Sequence, residues 1–164
     1  MTQEMQIKSV DIPIPPECNI ILGQSHFIKT IEDLYEIIVT SNPQAKFGIA
    51  FSEASGPRLV RTEGTDDELA RTAAENVMKI SSGHCFLIIM RNIFPISILN
   101  QIKNCQEVVN IFAATSNPLK VLVAMEGDRG AIIGVMDGFT PIGIENERDV
   151  IKRKKFLRDI GYKK

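Results

Sequence analysis

At 164 residues the chain has the length of one domain with room for a substantial core. Apolar residues make up 44% and charged residues 24%, which argues against a disordered chain, and a formal net charge of −1 supplies no field to recruit nucleic acid or an anionic membrane. Three widely spaced cysteines, Cys18, Cys85 and Cys105, form neither a disulfide framework nor a zinc-ligand pair, and no apolar run has membrane-spanning length, so the expected setting is the reduced cytoplasm.

Met5 to Ile14 alternates as a strand and stops at Pro15-Pro16. Asn19 to Leu22 is a short apolar strand ending at Gly23, and His26 follows in a loop. Thr30 is placed to cap a helix whose Ile31, Leu34, Tyr35, Ile38 and Val39 share one face, and Asn42-Pro43 ends it. Lys46 to Ser52 reads as a buried strand, turned by Ala54-Ser55-Gly56-Pro57 into a hairpin partner at Arg58 to Thr62. Thr65 and Glu68 form an expected capping box for a helix on Leu69, Ala73, Val77 and Ile80 that closes at Gly83.

Cys85 to Met90 has no polar member and predicts a central strand covered on both faces. Pro95 suits the first position of a helix on Ile98, Leu99 and Ile102. Val108 to Ala114 is a strand turned by Ser116-Asn117-Pro118. Val121 to Met125 and Ala131 to Met136 make a hairpin around Gly127-Asp128-Arg129-Gly130, and Asn146 to Ile160 is a last helix with a basic face. Helices interleaved with buried strands predict a single α/β domain over residues 1–164: a layered, mixed β-sheet with helices packed on its faces and both parallel and antiparallel pairs. The apolar strand inventory is generous for so small a domain, so a homo-oligomer is expected.

The chain lacks a P-loop, a Rossmann glycine fingerprint, a Gly-x-Ser-x-Gly elbow and a His-Glu-x-x-His helix. No metal site is expected from two histidines and unpaired cysteines. Against that background His26 stands out. It lies between a strand and the start of a helix, where unpaired N–H groups and the positive end of the helix dipole favour an anion such as phosphate. Lys29 adds charge beside it. A neutral imidazole there can attack a phosphoryl group or take a proton from a hydroxyl; the alternative is a loop histidine whose nitrogens bond the backbone.

Glu53 is placed to orient the His26 ring or accept a proton, or is a solvated turn residue. Ser55 and Gly56 allow close backbone approach to a ligand, Arg61 can clamp a phosphate, and Thr115, Asn117 and Asp137 suit a sugar or base edge. Each also has a plain turn or surface explanation. His84 begins its strand after a helix. If that strand runs parallel to the one feeding His26, the histidines lie at opposite sheet edges, and His26 ranks above His84 as the second choice. The basic run Lys152 to Lys155 reads as a solvated helix face, with no nucleic-acid or membrane partner expected.

Gly23 to Glu36, with Gly-x-x-His-Phe-Ile-Lys-Thr, and Lys46 to Arg61, with Lys-Phe-Gly-Ile-Ala-Phe-x-Glu-Ala-Ser-Gly, resemble the adenosine-specific kinase family. Gly83-His84-x-Phe, Phe94-Pro95-Ile96, Ala114-Thr115-x-Asn117-Pro118 and Val135-x-Asp137-Gly138 extend the likeness along nearly the whole chain. Ser52 stands where that family often has cysteine. The resemblance implies recognition of adenosine or AMP and a histidine that carries a phosphoryl group. Both His26 and His84 fall inside matching motifs. The expectation is an adenosine/AMP phosphotransferase working through a phosphohistidine, with His26, Lys29 and Glu53 as catalytic residues. Ser55, Gly56, Arg61, Thr115, Asn117 and Asp137 are the expected ligand contacts. No cofactor is assigned, although a divalent cation could accompany a nucleotide phosphate donor. The rivals are a non-catalytic adenosine/AMP-binding protein and a nucleotide hydrolase in which His26 activates water.

Overall fold

Strands that are apolar at every position need cover on both faces, and this requirement organises the fold. A computed structural model describes residues 4–164; the first three residues of the expected domain lie outside the described residues. In chain order the elements are β1 (Gln6–Ile12), β2 (Asn19–Ser25), α1 (Thr30–Ser41), β3 (Lys46–Ser52), β4 (Val60–Gly64), α2 (Asp67–Ile80), β5 (Cys85–Arg91), α3 (Pro95–Asn104), β6 (Val108–Thr115), β7 (Leu119–Glu126), β8 (Arg129–Asp137) and α4 (Glu147–Asp159). They build a five-stranded sheet of order β4-β3-β5-β2-β6 and a three-stranded sheet of order β1-β7-β8. Helices α1, α2 and α3 pack against the sheets, as expected for an α/β fold.

The central strand β5 shows how the layers form. Phe86, Ile88 and Met90 point into a core shared with Leu34 and Ile38 of α1 and Ile98 and Ile102 of α3. Cys85, Leu87 and Ile89 point the other way, into a core shared with Leu69, Ala73 and Val77 of α2 and with Val121 and Val123 of β7. The second sheet thus joins α2 in covering one face of the first.

The expectation of parallel pairs fails. Every strand pairing among the described residues is antiparallel. The physical reason lies in the crossovers. Through α1, β2 reaches β3, a strand of the same direction; β4 reaches β5 through α2, and β5 reaches β6 through α3, again with direction kept. Each crossover leaves one vacant position between its strands, and an antiparallel strand enters it: β5 between β2 and β3, β3 between β4 and β5, and β2 between β5 and β6. Local pattern signals the crossovers but says nothing about which strand fills the gap.

Two caps also differ from expectation. Lys29, not Thr30, occupies the N-cap of α1, and the Thr30 hydroxyl donates to the Phe27 carbonyl at 2.5 Å. Asp66 caps α2 by accepting from the Glu68 and Leu69 N–H groups, while Thr65 Oγ1 instead ties to Ala45 and Phe47. That helix ends at Ile80 with Ser81 in the left-handed region, short of the expected Gly83. β2 runs through Gly23 to Ser25, so His26 follows directly from strand.

Gly48 lies where β3 meets the start of α2. A Cβ there would come within 2.0 Å of the Ala70 nitrogen and 2.3 Å of the Leu69 carbonyl carbon. Backbone cannot swing aside as a flexible side chain can. Gly48→Ala should therefore lower unfolding free energy by roughly 1–3 kcal/mol, measured by urea denaturation. Gly143→Ala, in open space, should stay within about 0.5 kcal/mol of wild type. Equal midpoints for the two variants would refute the close approach.

Candidate active site

The antiparallel topology gathers several strand ends at one edge of the five-stranded sheet. The Ser25 N–H donates to the His84 carbonyl at 2.9 Å, the His84 N–H to the Ser52 carbonyl at 2.8 Å, and the His26 N–H to the Glu107 carbonyl at 3.0 Å. Because β2 and β5 run in opposite directions, His26 and His84 rise from the same edge. The ranking of His26 over His84 assumed parallel strands, and that premise falls.

His26 is exposed, with Nε2 3.2 Å from the Gln106 carbonyl. Donation from Nε2–H to that oxygen leaves Nδ1 carrying the lone pair. Lys29 beside it already has partners. Its ammonium lies 2.5 Å from Asp33 Oδ2 and also pairs with Glu107, whose side chain is only 2% exposed. The hydrogen bonds that the Lys29 ammonium donates to Asp33 and Glu107 raise its pKa. Burial opposes ionisation of Glu107, but the Cys105 thiol and the Lys29 ammonium outweigh it and hold the carboxyl well below the ordinary range. The Cys105 thiol, donating to Glu107 at 2.9 Å, is pushed up to about 11 by burial and then by that carboxylate. It is no thiolate nucleophile at neutral pH. Asp33, Cys105 and Glu107 could together face a metal ion, and the Lys29 ammonium supplies the positive charge there.

Glu53 turns to Arg61. Its Oε1 accepts from Arg61 Nε at 2.8 Å and from Nη2, and its Oε2 accepts from the Leu59 N–H at 3.1 Å. The Leu59 N–H and then Arg61 hold this carboxyl below its usual pKa, which makes it a weak base. It makes no hydrogen bond to His26 among the described residues; the Gln106 carbonyl meets that ring. Arg61 reaches the Ile28 carbonyl at 3.3 Å, linking the β3–β4 hairpin to the His26 loop. Ser55 and Gly56 form the exposed hairpin tip, with Gly56 at φ +63°.

Thr115, Asn117 and Asp137 do come together, but elsewhere. Thr115 Oγ1 donates to Asp137 Oδ1 at 2.7 Å, Asn117 Nδ2 donates to the same oxygen at 3.2 Å, and the Asn117 N–H donates to Thr115 Oγ1 at 3.0 Å. Thr115 pairs with Ile20, at the opposite end of β2 from Ser25, which pairs with Val108. The run from Ile20 to Ser25 puts about 16 Å between this cluster and the histidine edge, at the usual rise per strand residue.

The histidine edge opens into a cleft of about 820 Å³ between the β3–β4 hairpin, the C-terminus of α2 and the β7–β8 hairpin. Ser52, Glu53, Arg58, Ser82, His84 and Arg129 are among its lining residues. The hairpins are tied across it: Arg58 Nη1 lies 2.7 Å from Asp128 Oδ2, and Ser82 Oγ donates to the Gly130 carbonyl at 3.1 Å. The Ser52 hydroxyl donates to the Ser82 carbonyl at 2.6 Å and so braces the segment leading to His84. His84 has φ +58°, a strained region for a residue with a Cβ, and its ring stacks on Phe51 with centroids 6.0 Å apart and planes 13° off parallel. Ser25 Oγ, buried next to His84, has no hydrogen-bond partner among the described residues. A second hollow, of about 860 Å³, is lined by Lys29, Asp33, Cys105 and Gln106. His26 lines neither. Sequence reasoning missed Arg58, Ser82, Asp128 and Arg129. The one available signal was their position in turns, and it does not say which turns meet.

The Lys29–Asp33–Glu107 cluster makes acid stability testable. A carboxyl with a depressed folded pKa stabilises above its unfolded value, near 4.3, and that contribution drains away as pH falls toward the folded value. Glu107→Gln should cost roughly 1.5–3 kcal/mol at pH 7. Its stability should then fall less steeply than that of wild type below about pH 4.3, measured by urea unfolding at a series of pH values. Parallel profiles would mean that the cluster does not hold Glu107 ionised.

The whole chain can be compared with known proteins. Among proteins of curated function, none matches it by sequence. The solved structure of the PH1918 protein from Pyrococcus horikoshii OT3 superposes with a TM-score of 0.94 at 41% identity, covering 98% of this chain and 99% of that one. A family model described as adenosine specific kinase matches residues 10–163, a span that includes the histidine edge, the cleft and the Thr115–Asp137 cluster alike. With its motifs, fold and family model in agreement over nearly its full length, the chain belongs to the adenosine-specific kinase family.

Proposed function

We propose that the protein is a phosphotransferase acting on adenosine or AMP through a phosphohistidine, and that His84 is the residue phosphorylated. The observation that carries this reading is the placement of His84 on the wall of the 820 Å³ cleft, within the size range of small-molecule sites. Its backbone is held by Ser52 and Ser25, its ring is fixed against Phe51, and Arg58 and Arg129 bring positive charge to the same walls. A fixed ring needs little reorganisation to meet a phosphorus atom.

In the first step an imidazole nitrogen forms an N–P bond while the donor P–O bond breaks, and the leaving oxygen keeps the electron pair. In the second, a hydroxyl oxygen of adenosine attacks the phosphorus, the N–P bond breaks, and the hydroxyl proton passes to solvent. Arginine guanidinium groups would balance charge on the non-bridging oxygens. In this reading Glu53 and Arg61 position the hairpin that bears Arg58. His26 stands next to the cleft wall and not on it. Thr115, Asn117 and Asp137 belong to a separate, internally satisfied cluster.

One observation favours the rival of a non-catalytic adenosine/AMP-binding protein. Arg58, on the wall beside His84, is already engaged by Asp128, as Lys29 is by Asp33 and Glu107 and Arg61 by Glu53. Incubation with γ-labelled ATP separates the readings. Acid-labile, base-stable label should form on the chain and move to adenosine. It should persist in His26→Ala and fall at least about tenfold in His84→Ala. Label lost in His26→Ala alone would move the reaction to that residue. AMP binding by calorimetry with no label on any variant would establish the rival.

A further inference from the structure

The chain beyond Gly138 buries almost nothing. No residue of α4 is buried, and Phe139, Ile142 and Ile144 are 89%, 104% and 97% exposed. Ile151 and Phe156 on the helix are exposed as well. Asn146 gives α4 a complete capping box. Even so, a helix of 13 residues is marginal in water unless an apolar face is covered.

The same chain carries a second uncovered apolar surface. On the three-stranded sheet, the register places Ile7 beside Ala124, Ala124 beside Ala131, and Lys120 beside Met136, on the face turned away from the Val121–Val123 core. Ile133 bulges from the ladder at this point, where the register shifts between Leu122 and Val123. Ile7, Ile133 and Met136 are all more than half exposed.

Charge divides along the same line. Residues 139–164 hold eight lysines and arginines against four acidic residues, a formal +4; residues 1–138 hold eleven against sixteen, a formal −5. Opposite charge favours encounter and register between two such surfaces. On the uncovered sheet itself Asp11 pairs with Lys120 at 3.1 Å and Glu126 lies opposite Arg129, so the charge that meets the arm is that of the body as a whole.

We propose that residues 139–164 form an arm that docks on the outer face of the β1-β7-β8 sheet of a second copy of this chain. One chain carries both halves of the contact, an apolar basic arm and an apolar face on an acidic body, and leaves both uncovered. A second copy satisfies both at once.

Sedimentation of the full chain tests this. Wild type should run at a multiple of 18.3 kDa. The arm variant I142D/I144D and the face variant I133D/M136D should each fall to the single-chain mass, with far-UV circular dichroism losing no more than the helical signal of the 13 residues of α4. An equal mixture of the two variants, which keeps one intact arm and one intact face, should recover a mass above that of either alone. Wild type running as a single chain would overturn the proposal and leave the arm to a different protein. An arm variant that keeps the wild-type mass, or a mixture that stays at single-chain mass, would overturn it equally.

Discussion

The interaction on which the rest depends is the insertion of β5 between β2 and β3. Cys85 to Met90 offers apolar side chains to both sides and no polar group to solvent. Such a strand is stable only at the centre of a sheet covered twice. On one side the cover is α1 and α3; on the other it is α2 with the smaller sheet. Once β5 takes this position antiparallel to both neighbours, the C-terminal ends of β2 and β3 and the N-terminal end of β5 fall on one edge. The cleft, the two histidines and the Glu53–Arg61 pair all follow from that.

Packing also explains why the edge is open. Gly48 lets α2 approach β3 to backbone contact, and Gly130 lets the β7–β8 hairpin reach Ser81 with equal closeness. The Gly130 contact brings the end of α2 and the β7–β8 turn together on one side of the cleft. Ser52 and Ser82 then tie the wall to itself through hydroxyl-to-carbonyl bonds. Neutral donors hold the scaffold of the cleft. The charged pairs sit around it: Arg58 with Asp128, Arg61 with Glu53, and Lys29 with Asp33 and Glu107.

That division has a chemical consequence. Lys29 and Arg61, which sequence reading offered to an anion, neutralise the chain's own carboxylates. Arg58 is paired with an exposed aspartate across the cleft mouth, a contact that water and salt weaken. Of these ion pairs, Arg58 with Asp128 is the most exposed to solvent. Glu107, by contrast, lies under Lys29 with a thiol donor beside it, and its loss would disturb the folded loop more than any ligand.

Local chemistry by itself determined a great deal. Apolar periodicity placed the helices on Leu34 and Ile38, on Leu69 and Ala73, and on Ile98 and Ile102; an unbroken apolar run placed β5 at the centre; Pro95 and Asn146 marked helix starts; and motifs along the chain pointed to the family. These are readings of near neighbours, which the backbone's own periods report. Tertiary structure alone decided the direction and order of strands, because each helical crossover left a gap that any strand of suitable face could enter. That decision put His84 on the same edge as His26, and moved Thr115, Asn117 and Asp137 to the far end. It also joined two distant turns, at Arg58 and Asp128, into one cleft, and left the last helix without cover on its own chain. Contacts between residues dozens of positions apart are set by which surfaces bury each other, and no local pattern encodes that choice.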